Sequence, residues 1–163
     1  VLTLHRPSNV DDPVVLERLL TTLRGISDRL PLVFPVHPRT DARIAEMGLS
    51  KLLDTPCIQR LPPQGYLAIL GLMSQARLVL TDSGGIQEET TALGVPCITL
   101  RENTERPITA EEGTNTVVGT DPVRILAAFN DVITHGGKAG RVPELWDGRA
   151  AQRIVSVLCE RLA

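Results

Sequence analysis

The residues best arranged for chemistry lie in the run Leu78-Val79-Leu80-Thr81-Asp82-Ser83-Gly84-Gly85-Ile86-Gln87-Glu88-Glu89. An apolar, strand-like stretch ends at Asp82, the chain turns through Ser83, Gly84 and Gly85, and a helix begins. Two glycines remove the side chains that would keep an anion away from backbone N–H groups. The helix start adds unpaired donors and the positive end of its dipole. Ser83 brings a hydroxyl that can donate to a phosphate or cap the helix. One turn in, Glu88 or Glu89 can point to the mouth of the site, where two adjacent sugar hydroxyls would donate to a carboxylate. The chemistry implied is the holding of a phosphorylated ligand. Local physics leaves a plainer reading open: Ser83 as an N-cap, the glycines as a tight turn, and both glutamates as charges that complement the dipole.

Other candidates stand just after strand-like segments. His5 and Arg6 follow the first, and His37 follows the second within Pro35-Val36-His37-Pro38-Arg39. A histidine there can donate to phosphate or act as an acid near neutral pH, or simply bond to loop backbone. The polar run Arg101-Glu102-Asn103-Thr104-Glu105-Arg106-Pro107 follows a later strand. In it, Arg106 can clamp a diphosphate or pair within the loop with Glu102 or Glu105. The turn from Pro62-Pro63 to Tyr66 can wall a base pocket through its backbone. His135 sits in a loop beyond a helix and reads as surface. No histidine pair has metal-binding spacing, the cysteines do not cluster with histidines, and Ser83-Gly84-Gly85 lacks the GxSxG elbow of a serine hydrolase.

The elements that must position these residues alternate regularly. Val1 to Leu4 is strand-like, and Pro13 to Leu30 carries Leu16, Leu19, Leu20, Leu23 and Ile26 at helical spacing, with Asp11 or Asp12 as cap. Leu32 to Phe34 is a strand, followed by a helix ending near Met47. Cys57 to Leu61 is a strand and Tyr66 to Met73 a helix. Arg77 to Thr81 is a buried strand, and the helix Ile86 to Leu93 stops at Gly94. Pro96 to Leu100 and Thr116 to Val118 are further strands, and Pro122 to Ile133 is a helix. After a loop at Gly136 to Gly140, a last helix from about Gly148 to Leu162 sets Ile154, Val157, Leu158 and Leu162 on one face. Continuous apolar strands separated by helices predict a doubly wound parallel α/β sheet, which binds ligands at the C-terminal ends of its strands.

Bulk composition narrows the function classes. The chain has 163 residues, 42% of them hydrophobic and 22% charged, with a formal net charge of −2. That balance supplies no field for nucleic acid or an anionic membrane. Aromatic residues, at 2%, are too few for stacking single-stranded nucleic acid. No apolar run reaches the roughly 18 residues of a membrane span. Three scattered cysteines read as reduced thiols in a cytoplasmic protein. The chain starts without Met and runs straight into a strand, which suggests a piece of a longer protein.

The segments Leu4-His5-Arg6-Pro7, Phe34-Pro35-Val36-His37-Pro38, Thr81 through Glu89, Arg101 through Pro107, and Gly113-Thr114-Asn115-Thr116 with Val118-Gly119 together resemble the non-hydrolysing UDP-N-acetylglucosamine 2-epimerases. The match spans almost the whole chain, and DSGGIQEE followed by ENTERP is its most specific part. The resemblance implies the C-terminal, UDP-binding, Rossmann-like half (residues 1–163) of a two-domain GT-B-type enzyme, with the N-terminal domain absent from this chain. It implies interconversion of UDP-GlcNAc and UDP-ManNAc by elimination and re-addition of UDP, without metal or cofactor. It also implies a full-length homodimer that supplies polysaccharide synthesis.

By position, the resemblance gives Ser83, Gly84 and Gly85 to the diphosphate, Glu89 to the ribose, and Arg106 to a phosphate or the leaving UDP. His5 would stand beside the diphosphate and assist its departure. Ile69 falls where backbone groups read uracil, and His37 near a regulatory substrate site. Pro7-Ser8-Asn9 departs from the charged run that many bacterial members carry. The carboxylates that move the C2 proton belong to the N-terminal domain, so this chain alone is expected to bind UDP without turnover. A nucleotide-binding half of a GT-B glycosyltransferase or hydrolysing epimerase, and a non-catalytic phosphate sensor, are the alternatives.

Overall fold

The computed structural model describes residues 1–162. Its elements run β1 (Leu2–Thr3), α1 (Pro7–Val10), α2 (Pro13–Ser27), β2 (Leu32–Pro35), α3 (Pro38–Glu46), β3 (Ile58–Leu61), α4 (Tyr66–Ser74), β4 (Val79–Thr81), α5 (Gly84–Leu93), β5 (Cys97–Thr99), α6 (Pro107–Glu111), β6 (Asn115–Val117), α7 (Pro122–His135) and α8 (Ala150–Leu162). A 3-10 turn at Ser50–Leu52 stands between α3 and β3. Every strand pair is parallel, in the ladders β1-β4-β5-β6 and β2-β3. Because β1 also lies against β2, the spatial order is β3-β2-β1-β4-β5-β6. This is the Rossmann-like arrangement predicted from the alternation of elements. The order reverses between β1 and β4, and the loops leaving their C-terminal ends diverge there to open a crevice.

The apolar stripe of α2 explains much of the core. Leu16, Leu19, Leu20, Leu23 and Ile26 are all fully buried, against Leu2, Leu4, Leu32 and Phe34 of the sheet and Ile125 and Phe129 of α7. Truncating one such leucine to alanine typically costs about 2–5 kcal/mol. On the other face, α4 and α5 cover Val79 through Met73, Ile69 and Ile86. Strands β4 and β5 are buried at every position, as a sheet covered on both faces requires.

The helix cap resolves in favour of Asp12, whose Oδ1 accepts the N–H of Val14 at 2.8 Å and of Val15 at 3.2 Å. Asp11 instead pairs with Arg39 and Arg43 of α3. Helix α5 starts at Gly84, two residues earlier than its apolar pattern indicates, and ends on Gly94 at φ +69°, the left-handed cap that glycine adopts without strain. Two short helices, α1 and α6, occupy stretches to which the sequence pattern assigns no element. On α8 the apolar face forms as expected, but Ile154, Val157, Leu158 and Leu162 are all exposed. No helix among the described residues is long and apolar enough to cross a membrane.

Candidate functional site

At the reversal point, one carboxylate holds three strand ends together. Asp82, directly after β4, has no exposed surface. It accepts the backbone N–H of His5 at 3.0 and 3.1 Å, the N–H of Arg6 at 2.9 Å and the amide of Asn9 at 3.2 Å. The same Asn9 amide donates to the Leu100 carbonyl at 2.9 Å, which adds the end of β5. The His5 ring joins them, with Nδ1 3.0 Å from Asp82 Oδ1. A carboxylate only accepts, so His5 Nδ1 carries the proton of this contact. The ring is about one-third exposed at the crevice.

Beside it, the Ser83 turn leaves polar groups uncommitted at the start of α5. The Ser83 N–H donates to Thr81 Oγ1 at 3.0 Å, and its carbonyl accepts from Gln87 Nε2 at 3.1 Å. Its side chain makes no capping bond to α5, so the capping role does not consume the hydroxyl. A side-chain atom added on Gly85 would meet nothing within 4 Å. The backbone at Gly85 is therefore approachable, Gly84 before it is buried, and the N–H groups of the first turn have no partner inside the helix.

The Arg101–Arg106 loop closes over this helix start. Its anchor is Gln87, fully buried, whose Oε1 accepts from Thr104 Oγ1 at 2.5 Å and Asn115 Nδ2 at 3.1 Å. Arg106 pairs with the carboxylate of neither Glu102 nor Glu105, although its Nη1 donates to the Glu105 carbonyl at 3.2 Å. Its Nε lies 3.0 Å from Glu88 Oε1, across the loop–helix boundary. Glu105 pairs with Arg101 at 2.9 Å and Arg6 at 3.6 Å. The hydrogen bond and charge of Arg101, with the charge of Arg6, hold its carboxyl below the usual range. Partial burial, then the neighbouring Glu88, raises that of Glu89.

The structure brings His5, Ser83, Gly84, Gly85 and Arg106 to one edge of the sheet, with Glu89 on the next turn of α5. His37 stands beside His5, their ring centroids 5.7 Å apart, while its Nδ1 caps α3 by accepting from the Arg39 N–H at 3.2 Å. Ile69, like Ile86 of α5, packs against the cluster of Met73, Val79 and Val95, and its N–H is already donated to the Gly65 carbonyl at 3.1 Å. His135 is exposed and paired with Asp131. Four contributors escaped the sequence reading as individuals: Asp82, Gln87, Asn9 and Arg101. Among the described residues no group of three or more His, Cys, Asp or Glu could hold a metal ion. A cavity of about 710 Å³ lies elsewhere. It is lined mainly by α4 and by the residues leading into β1, β2 and β4, and it holds none of these groups.

A family model described as UDP-N-acetylglucosamine 2-epimerase matches residues 1–159. The chain belongs to that family. It is 47% identical, over 97% of its length, to the UDP-N-acetylglucosamine 2-epimerase of Methanococcus maripaludis, of which it covers 43%. It is 36% identical over 97% to the UDP-2,3-diacetamido-2,3-dideoxy-D-glucuronate 2-epimerase of Pseudomonas aeruginosa, again covering 43% of that protein. The Methanocaldococcus jannaschii UDP-GlcNAc 2-epimerase, solved in complex with UDP-GlcNAc and UDP, superposes with a TM-score of 0.83 at 41% identity, over 98% of this chain and 44% of that one. The chain thus spans less than half the length of the 2-epimerases it matches.

Proposed function

We propose that this chain is the UDP-binding C-terminal half of a UDP-N-acetylglucosamine 2-epimerase, completed by an N-terminal domain. The observation that carries this is the start of α5. There an uncommitted Ser83 hydroxyl and first-turn N–H groups stand at the switch point of a parallel sheet, among Arg6, Arg101 and Arg106. Such a place stabilises a diphosphate through backbone donors, a dipole and guanidinium groups together. Glu89 would accept from ribose hydroxyls. The lining of Ile69 and the turn before α4 would meet the uracil.

In the complete enzyme, the departing UDP carries developing negative charge on its β-phosphate. The α5 N-terminus and Arg106 would stabilise that charge. His5, its ring oriented by Asp82, would assist the departure. The proton at C2 would be moved by carboxylates of the other domain. The two relatives named above differ in the sugar and share UDP and epimerisation at C2, and this chain covers 43% of each. This half therefore supplies the shared part, recognition of UDP.

The test is a calorimetric titration of the chain with UDP, ADP and inorganic phosphate up to about millimolar, where binding corresponds to roughly −4 kcal/mol. Preference for UDP is expected. Equal binding of all three would leave only a generic phosphate site. Incubation with UDP-GlcNAc is expected to yield no UDP-ManNAc, and detecting that product would refute the division of labour between domains.

A further inference from the structure

The loop that closes over the anion cradle brings a carboxylate of its own. A Cβ placed on Gly84 would stand 3.7 Å from Glu105 Oε2 and 3.9 Å from Arg6 Nη2. Glu105 therefore lies over the first residue of α5, held between Arg101 at 2.9 Å and Arg6 at 3.6 Å. A carboxylate at a helix start satisfies the same field that a phosphate would. Both arginines keep donors in reserve: Arg6 Nε and Arg101 Nη1 are buried and make no hydrogen bond. Two guanidinium groups share one carboxylate, and buried donors seek acceptors at considerable gain.

We propose that Glu105 is an internal counter-ion that competes with the diphosphate for Arg6, Arg101 and the start of α5, and so sets which anions the site accepts. The proposal rests on the nucleotide-binding reading above and adds a specificity-determining residue to it. A ligand that enters must displace the Glu105 carboxylate. A diphosphate carries enough charge, spread over enough oxygens, to take over both guanidinium groups and the helix start together. A carboxylate or a singly charged phosphodiester does not. The loop can yield without losing its footing, because Gln87 anchors it through Thr104, one residue from Glu105, and Arg106 is tied separately to Glu88.

The experiment compares the chain with its Glu105→Gln and Glu102→Gln variants, titrated with UDP, inorganic pyrophosphate and uridine. Both substitutions remove one negative charge from the same loop, but Glu102 faces Arg124 and the Thr120 N–H, away from the cradle. Glu105→Gln is expected to tighten UDP and pyrophosphate about threefold to tenfold, the range for freeing two ion pairs of a half-exposed carboxylate. It should leave uridine unchanged, and Glu102→Gln should alter none of the three. Unchanged or weaker UDP and pyrophosphate binding in Glu105→Gln overturns the proposal, as does an equal gain in Glu102→Gln. If pyrophosphate tightens while UDP is bound no better than ADP, the counter-ion stands and the uridine-nucleotide reading falls. No binding of either anion to any of the three proteins overturns both.

Discussion

Asp82 and His5, 77 residues apart in sequence, meet through three contacts: the Asp82 carboxylate takes both the His5 backbone N–H and its ring Nδ1, each within 3.1 Å. The site's histidine is thereby fixed to the end of β4, the strand that delivers the Ser83 turn. The crevice between β1 and β4 has one shared support, and its stability and its chemistry are linked.

Replacing that support should be costly. In Asp82→Asn the new amide would point its own N–H groups at donors from His5, Arg6 and Asn9, in a place with no exposed surface. We expect a loss of about 2–4 kcal/mol, since several buried donors lose their acceptor at once. Urea unfolding followed by circular dichroism measures it. A loss under half a kilocalorie would mean that the three strand ends are held by the sheet alone.

The sequence made the scaffold legible and left most of the wiring hidden. Helix α2 was readable because Leu16, Leu19, Leu20, Leu23 and Ile26 repeat over about three turns, and all five are buried. Helices α1 and α6 were not, since four or five residues cannot display a period, although each begins with proline at its first position. The strand, turn and helix start around Ser83, Gly84 and Gly85 were visible because their signals are local. The roles of Asp82 and Gln87 were not, because the partners of Asp82 are 73 to 77 residues away and those that make Gln87 an anchor, Thr104 and Asn115, are 17 and 28. Arg106 illustrates the same limit. Its local choices were Glu102 and Glu105, while the folded chain brings up Glu88 from helix α5.

Two glycines separate packing from flexibility. At Gly113 an added Cβ would sit 2.6 Å from Thr91 Cγ2 and 2.7 Å from the Thr109 carbonyl, with Thr91 Oγ1 nearer still. Gly113→Ala should therefore destabilise by about 1–3 kcal/mol through overpacking. Gly25, exposed within α2, has nothing within 4 Å. Gly25→Ala should stabilise by about 0.5–1 kcal/mol by restricting the unfolded chain. Denaturant midpoints of the two variants should move in opposite directions.

At the cradle, binding should be separable from folding. The Ser83 hydroxyl caps nothing, and the nearest atoms to a Cβ on Gly84 are side-chain tips at 3.7 and 3.9 Å. Ser83→Ala and Gly84→Val should both fold, with unfolding midpoints close to that of the parent chain. Gly84→Val should weaken UDP at least about a hundredfold, because a branched side chain would stand where the phosphate must approach the backbone, removing more than one charge-assisted bond. Ser83→Ala should cost about tenfold. Unchanged UDP affinity in the folded Gly84→Val protein would remove the diphosphate from the start of α5.

Glu89 should show a conflict between stability and function. Partial burial, with the charge of Glu88 behind it, raises its carboxyl above the ordinary value of 4.5. Between 4.5 and the raised value the folded chain holds a proton that the unfolded chain has released, so stability falls as pH rises through that window. Below the window the carboxyl is neutral in both states and carries no penalty, and above it the penalty is complete. Glu89→Gln removes the ionisation. It should match the parent chain in thermal midpoint well below pH 4.5 and exceed it at neutral pH. The same substitution takes away the carboxylate proposed to accept from the ribose, so UDP affinity at neutral pH should fall about tenfold or more, as expected for hydrogen bonds to a charged group. A stabilised variant that still binds UDP fully would assign Glu89 to the protein surface and leave the ribose to another group. A variant that loses both stability and binding would mean that Glu89 supports the fold of α5 and that the burial penalty is offset by contacts within the helix.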